Sequence, residues 1–180
     1  MLSCRVPLFL ENHKVLSKAE LIGSLQHEVN ILVHLASKVD ARSLDYRPTS
    51  KQRSTIEWLR YLSIMGPGLV QATKTGTFDG AAWGAATAKA ETMNLEQVTA
   101  VIASLKDTFA TEISSMSDAD FRVEIEMFGQ KYTKGSFLVN LVLSGYAAYR
   151  TQIFTYLKIC GREELTTMNL WAGMDAPPKP

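Results

Sequence analysis

Cysteine is scarce in this chain, and its placement argues against two kinds of structural staple. Of the 180 residues only Cys4 and Cys160 are cysteines, and they stand near opposite ends of the sequence. There is no C-x-x-C pair and no paired histidine motif, so the sequence predicts no cysteine-based zinc site. A chain of this length buries enough apolar surface to fold without disulfides. We therefore expect a single domain over residues 1–180 and a reducing, cytoplasmic environment.

Long apolar runs and an excess of one charge are missing as well. No 18 consecutive residues are apolar, so the sequence predicts no transmembrane helix. The apolar run from Val6 to Leu10 is too short for the core of a signal peptide. Lysine and arginine number 19 against 18 aspartates and glutamates, and neither sign is clustered. We therefore expect neither a nucleic-acid partner nor a membrane partner.

Several catalytic motifs are also absent from the sequence. It contains no Walker A loop, no G-x-G-x-x-G fingerprint and no G-x-S-x-G nucleophile elbow. It contains no Glu-x-x-His, which di-iron bundles place on two of their helices. The sequence thus predicts neither a nucleotide-binding loop, nor a serine hydrolase, nor a di-iron centre.

Helix signals dominate what is present. Three capping boxes, "SKAE" from Ser17, "STIE" from Ser54 and the weaker "NLEQ" from Asn94, each precede apolar residues at helical spacing. A fourth helical stretch ends before Gly161, a residue type that commonly stops helices. The predicted helices cover about 17–39, 54–74, 95–114 and 135–160, with a short alanine-rich helix over 81–92.

These helices predict an all-α fold, a four-helix bundle. Its core covers about residues 17–161, between an N-terminal arm (1–16) and a C-terminal tail (162–180). The "GPG" at 66–68 is expected to kink or break the second helix, because proline cannot donate to the helix ladder. In the segment 121–128 apolar and charged residues alternate, which predicts one short strand or extended segment. A lone strand there would leave its backbone unpaired.

Two stretches resemble the DinB-like superfamily. "LDYRPTSKQRSTIEWLRYL" (Leu44–Leu62) is similar to that family's connector and second helix, where Leu-Asp-aromatic-Arg-Pro precedes a capped helix. "YRTQIFTYLKICG" (Tyr149–Gly161) is similar to the end of its fourth helix. The resemblance spans roughly residues 21–161 and implies an up-down-down-up four-helix bundle, usually a homodimer. The family includes metal-dependent thiol transferases and isomerases that use bacillithiol, mycothiol or glutathione, and many members of unknown role.

The resemblance also locates a metal site whose ligands this sequence lacks. The family's three histidines fall here on Tyr61, Gly145 and Tyr149, the last two just before Gln152. Zinc needs several converging donors, whereas glycine has no side chain and tyrosine, with a pKa of about 10, is a poor neutral ligand. The implied bundle has lost its metal site, and we expect it to use no metal and no other cofactor.

The three histidines of the chain do not replace those ligands. His13 lies in the N-terminal arm. His27 and His34 lie two turns apart on the first helix, about 10.5 Å by helix rise, which is too far for both to ligate one ion. We expect them on the surface of the bundle.

Tyr61, Gly145, Tyr149 and Gln152 support two interpretations. They form a small-ligand pocket where the family's metal would lie, or the tyrosines fill the core with their hydroxyls bonded to each other or to Gln152. The first favours a metal-free small-molecule-binding or interaction bundle. The alternative is a thiol-dependent transferase or isomerase in which Tyr61 or Tyr149 replaces the metal as acid or hydrogen-bond donor. An open cavity reaching both tyrosines would favour the enzyme, and a filled one would favour a scaffold.

Two further features concern partners. Arg60 and Arg150 are interpreted as surface charges or structural pairs more readily than as clamps for a carboxylate. The fourth helix carries a second apolar arc, turned away from Tyr149, that needs a cover of its own. That cover is either the tail and long loop or a second subunit, and with the family resemblance it favours a homodimer. The arc consists of Val139, Leu143, Tyr146, Phe154 and Leu157.

Overall fold

A computed structural model describes residues 16–177 of the protein. Cys4, His13 and the rest of the N-terminal arm up to residue 15 lie outside the described residues, as do residues 178–180. The fold is an all-α four-helix bundle, as predicted, and it also carries a small hairpin. Its elements are α1 (Lys18–Ala36), α2 (Thr55–Thr75), α3 (Gly80–Glu91), α4 (Leu95–Ser114), a 3-10 turn (Asp120–Arg122), β1 (Glu124–Met127), β2 (Gln130–Thr133), α5 (Lys134–Phe137), a π-helical segment (Leu138–Leu143), α6 (Ser144–Ile159) and α7 (Thr167–Trp171).

Contacts between helix ends show the course of the first three long helices. Lys18, at the start of α1, donates to the carbonyl of Met116 just past the end of α4 (2.6 Å), so α1 and α4 are antiparallel. Arg60, near the start of α2, donates to the carbonyl of Met93 just before α4 (2.6 and 2.9 Å), so α2 and α4 are parallel. The intervening α3 makes this possible, because it returns the chain along α2.

The last long helix, formed by α5, the π-helical segment and α6, runs with α1. Lys134 at its start donates to the carbonyl of Lys74 at the end of α2 (2.9 Å), so it opposes α2. Arg162, just past its end, donates to the carbonyl of Lys38, just past the end of α1. The course is therefore up-down-down-up, as the resemblance implied.

The helix boundaries follow the capping signals. All three predicted capping boxes are formed, with both the side-chain and the backbone hydrogen bond present at Ser17, Ser54 and Asn94. The predicted helix bounds agree with the observed ones to within three residues. Gly161 ends the last helix with φ +95°, which suits glycine.

Of the kink or break expected at 66–68, the break is wrong, since α2 continues through Pro67 from Thr55 to Thr75. The flanking glycines are sites of close packing rather than of breakage. A Cβ on Gly66 would lie 2.4 Å from the Tyr146 hydroxyl, and one on Gly68 would lie 2.9 Å from Cε3 of Trp83. Proline removes one donor from the ladder, and Gly66 and Gly68 pack this stretch closely against Tyr146 and Trp83.

The predicted strand within 121–128 is confirmed as β1, and it is not alone. β2 pairs with it antiparallel, from Glu124 opposite Thr133 to Met127 opposite Gln130. Phe128 and Gly129 form the turn with φ values of 53° and 74°. The hairpin places Ile125 and Met127 against the core and satisfies the backbone that a lone strand would expose.

The prediction that the fourth helix carries a second apolar arc, turned away from Tyr149, is partly wrong. Tyr146 and Leu157 are fully buried in the bundle core, and the Tyr146 hydroxyl donates to the carbonyl of Leu62 (2.8 Å). The π-helical segment explains the error, because its wider turn shifts the faces of all later residues. Since part of the arc is already covered, the homodimer stays a prediction.

Candidate functional site

The structure brings three of the four predicted site positions together between α2 and α6. The rings of Tyr61 and Tyr149 meet edge to face, with centroids 5.5 Å apart. A Cβ on Gly145 would lie 3.2 Å from both Sδ and Cε of Met65, so the Met65 side chain fills the space that a larger residue would take. Gln152 is half-buried one turn after Tyr149, and within the described chain its side chain makes no hydrogen bond to either tyrosine.

Four rings form what we call the aromatic cluster: Trp58, Tyr61, Trp83 and Tyr149. Trp58 stacks on Tyr149 at 4.4 Å between centroids, and Tyr61 packs edge-on against Trp58 (5.9 Å) and Trp83 (6.1 Å). Such pairs contribute stability beyond their buried area. The inner part of the site is therefore filled with side chains.

The donors at these positions do not fit a zinc or other divalent-metal site. They are two phenol hydroxyls, a glycine without a side chain and the thioether of Met65, where zinc requires thiolate, imidazole or carboxylate. Burial raises the pKa of Tyr61, the neighbouring Tyr149 raises it further, and Arg53 opposes the shift. Tyr61 is thus held as a neutral hydroxyl. Within residues 16–177 no three histidine, cysteine, aspartate or glutamate side chains are grouped to hold a metal ion.

A cavity of about 360 Å³ opens on the outer side of Tyr61, between α2 and α3. We call it the Tyr61 cavity. It reaches Tyr61 but is not lined by Tyr149, Gly145 or Gln152. Its walls combine apolar and aromatic groups with two arginines and two glutamates. They are Arg53, Glu57, Arg60, Tyr61, Ile64, Trp83, Thr87, Ala90 and Glu91.

The charged groups of this cavity differ in how they are used. Arg60 directs Nε and Nη2 to the carbonyl of Met93, which ties the end of the α3–α4 connection to α2. Glu57 bonds to the backbone N–H of Ser54 (2.8 Å) and pairs with Arg47 (2.9 Å), and these bonds hold its pKa below its usual value.

Arg53, the other arginine of the cavity, takes no part in these bonds. Its guanidinium carbon lies 4.3 Å from the centroid of Tyr61 and 5.1 Å from that of Trp58. Over the described part of the chain Arg53 has neither a carboxylate partner nor a side-chain hydrogen bond. Cation–π contact holds the group over the rings while its N–H donors remain open.

A set of polar contacts away from the Tyr61 cavity, which was not predicted from the sequence, holds the C-terminal tail on the bundle. Arg150 and Glu28 form an ion pair at 2.6 Å, with side chains only 4% and 8% exposed. Arg150 also donates to the carbonyl of Leu170, and its guanidinium lies 4.8 Å from the Trp171 ring. Arg150 is therefore a structural pair, which was the favoured interpretation. The sequence did contain a signal for this pair. Glu28 and Arg150 each lie on the buried face of a helix, and a buried charge needs a partner.

The two described histidines belong to the same tail contact. His27 donates through Nε2 to the carbonyl of Trp171 (2.8 Å), and His34 accepts from the amide of Asn169 (2.9 Å). Burial lowers the pKa of His34 first, Lys38 lowers it further, and Asp175 opposes them. Both histidines lie at the surface or rim of the bundle and serve to hold the tail.

Comparison with known proteins supports the fold. The structure is similar to the crystal structure of YjoA, a DinB-like protein from Bacillus subtilis, with a TM-score of 0.62 and 16% sequence identity. The match covers 81% of this chain and 94% of that one, so the chain has a DinB-like fold. No protein-family model and no curated protein sequence matches it. Among the described helices, none is both long and apolar enough to span a bilayer.

Proposed function

We propose that this protein is a metal-free binding protein for a small organic acid, which it holds in the Tyr61 cavity. The observation that carries the proposal is the position of Arg53. A cation without a carboxylate partner lies over two aromatic rings and lines a cavity whose walls also include aromatic, apolar and charged residues. This arrangement suits a ligand that has both an acidic group and a flat or apolar part.

The acidic group would accept hydrogen bonds from Arg53. Guanidinium matches a carboxylate in shape and can donate two parallel hydrogen bonds to it. The contact with Tyr61 and Trp58 limits the freedom of the Arg53 side chain before a ligand arrives. Because less side-chain entropy is then lost on binding, a prepositioned arginine binds more tightly than a freely moving one.

The remainder of the ligand would pack against Tyr61 and Trp83. The cavity, at about 360 Å³, is near the lower end of the range for small-molecule sites. Tyr61, kept neutral by its raised pKa, can also donate one hydrogen bond. A ligand the size of a single substituted ring suits this volume.

The thiol-dependent transferase or isomerase remains the alternative. It would place a tyrosine beside a bound thiol, and in this structure only Tyr61 faces the cavity. The rings of Trp58 and Tyr61 cover Tyr149. The geometry therefore supports binding beside Tyr61 better than joint action by both tyrosines.

Calorimetric titration with benzoate and with benzyl alcohol tests the proposal. Benzoate should bind the wild type, and Arg53→Gln should weaken it about tenfold, at the low end for hydrogen bonds to charged groups because the site is exposed. Benzyl alcohol should bind both proteins alike. The matched control is Lys51→Gln, which removes one charge from the same exposed loop and should change benzoate affinity less than twofold. No benzoate binding, or equal losses in the two variants, would refute the proposal.

A further inference from the structure

A second cavity of about 460 Å³ adjoins the first along the same two helices. We call it the α2/α3 cleft. Trp83 and Ile64 line both spaces, so Trp83 is the partition between them. The cleft continues from Trp83 toward the end of α2 and the start of α3. Its lining is Ser63, Ile64, Pro67, Gly68, Gln71, Ala72, Thr75, Thr77, Phe78, Asp79, Ala82, Trp83 and Ala86.

The cleft exists because α3 presents small side chains to it. Ala82 and Ala86 are the helical residues of α3, besides Trp83, that line the space. On the opposite wall, Gly68 lets the Trp83 ring approach so closely that a Cβ there would meet Cε3 at 2.9 Å. Alanine and glycine leave the volume open where leucine or phenylalanine would fill it.

An aromatic rim borders the outer end of the cleft. Phe78 lies 5.3 Å from Trp83 and 5.5 Å from Phe128, measured between ring centroids. Phe128 sits at the hairpin turn with φ 53° and is 58% exposed. A bulky residue is strained in this region and turns of this kind favour asparagine or glycine. An exposed, strained phenylalanine contributes little burial, but it extends the apolar surface beside the cleft.

The charged residues are distributed unevenly between the two cavities. The cleft is lined by one charged residue, Asp79, whose carboxylate caps α3 by accepting from the N–H of Ala82 (2.9 Å). At the far end of the Tyr61 cavity stands Arg53. Of the two glutamates there, Glu57 is paired with Arg47, and Glu91, at the end of α3, disfavours an anion on its own side. An acidic group is therefore directed to Arg53, and an uncharged apolar chain is directed past Trp83.

We propose that the Tyr61 cavity and the α2/α3 cleft together bind one elongated amphipathic acid, a carboxylate with an alkyl chain. This rests on the proposed function, since the carboxylate takes the same place at Arg53. The chain passes beside Trp83 and ends among Pro67, Ala82 and Ala86. This binding mode requires the ring of Trp83 to turn, because that ring separates the two spaces.

The test compares butyrate with octanoate at concentrations below micelle formation. Each added methylene that leaves water should tighten binding about threefold to fourfold, so octanoate should bind the wild type far more tightly than butyrate. Ala82→Phe fills the cleft and should remove most of this gain while leaving benzoate binding unchanged. Ala85→Phe places the same side chain on an exposed α3 position that lines neither cavity, and should leave the gain intact. Circular dichroism confirms that both variants are folded.

The outcomes separate this inference from the proposed function. If benzoate binds in an Arg53-dependent way but octanoate gains nothing over butyrate, the inference fails and the proposed function stands. The inference also fails if Ala82→Phe and Ala85→Phe weaken octanoate equally, because the chain then lies elsewhere. If Arg53→Gln leaves the affinity for octanoate unchanged, the carboxylate does not lie at Arg53 and the inference fails. If neither benzoate nor octanoate binds, both proposals fail.

Discussion

Replacing Arg150 with methionine tests how the C-terminal tail is held on the bundle. Methionine keeps most of the volume of the arginine stem but removes the cation from beside Glu28. The Glu28 side chain is only 8% exposed and lies 2.6 Å from Arg150. The variant therefore leaves a carboxylate buried without its partner.

The expected loss follows from that burial. Removing one partner of a buried ion pair costs about 3–5 kcal/mol of unfolding free energy. Arg150 also donates to the carbonyl of Leu170 and lies over the ring of Trp171, contacts worth about 1 kcal/mol each. By contrast, the double variant Glu28→Leu, Arg150→Met leaves no buried charge, and apolar replacement of a buried pair is often neutral or stabilising. We expect the second change to recover about 2 kcal/mol or more of the loss.

The pH dependence of the loss identifies Glu28 as its source. Burial raises the pKa of Glu28 above its usual value even with Arg150 present, which lowers it, so Arg150→Met raises that pKa further. A carboxyl whose pKa is higher in the folded state contributes its full stability below the unfolded pKa and loses it as pH rises through the folded pKa. The loss of unfolding free energy in Arg150→Met should therefore be smaller at pH 5 than at pH 7.5.

Urea unfolding followed by circular dichroism, at both pH values, measures these free energies. A loss below about 1 kcal/mol for Arg150→Met would show that the pair is not buried in solution. A double variant no more stable than the single one would show that the loss comes from packing and not from the unpaired Glu28. Either result would refute the reasoning.

Three further predictions concern the core, the expected loss of the family's metal site, and assembly. Gly66→Ala should destabilise the protein by about 1–3 kcal/mol in thermal melts, because its Cβ would meet the core, whereas Gly23→Ala, on an exposed helix face with no atom within 4 Å, should stabilise it by about 0.5–1 kcal/mol. Changing Tyr61, Gly145 and Tyr149 all to histidine should create zinc binding measurable by calorimetry, at some cost in stability; a folded variant without zinc uptake would show that the three positions do not match the family's ligands. Light scattering should give a homodimer mass, and a monomer at high micromolar concentration would contradict that expectation.

The helical part of the fold could be predicted because its signals are local. The capping boxes at Ser17, Ser54 and Asn94 mark helix starts within a few residues of sequence, and the structure forms all three. The β1–β2 hairpin was only half predicted. Its turn uses Phe128 and Gly129, which lack the Asn-Gly or Asp-Gly signal of such turns.

The site was harder to predict because it depends on contacts between distant elements. The structure brings Tyr61, Gly145 and Tyr149 together, and their match to the family's metal ligands stays a prediction. The sequence could not show that Met65 fills the space at Gly145, or that a cavity opens on the other side of Tyr61. The first feature follows from how α6 packs on α2 and the second from how α3 packs on α2, and no periodic pattern in the sequence specifies either packing.

Two of the three tryptophans provide the most direct measurement of the central claim, that an organic acid binds beside Tyr61. In a nitrogen-15 NMR titration with benzoate, the indole signal of Trp83, which lines the cavity, should shift in a saturable way. The signal of Trp171, which packs near Arg150 and lines neither cavity, should stay in place as an internal control. A Trp83 signal that does not move, or a Trp171 signal that moves as far, would contradict the account.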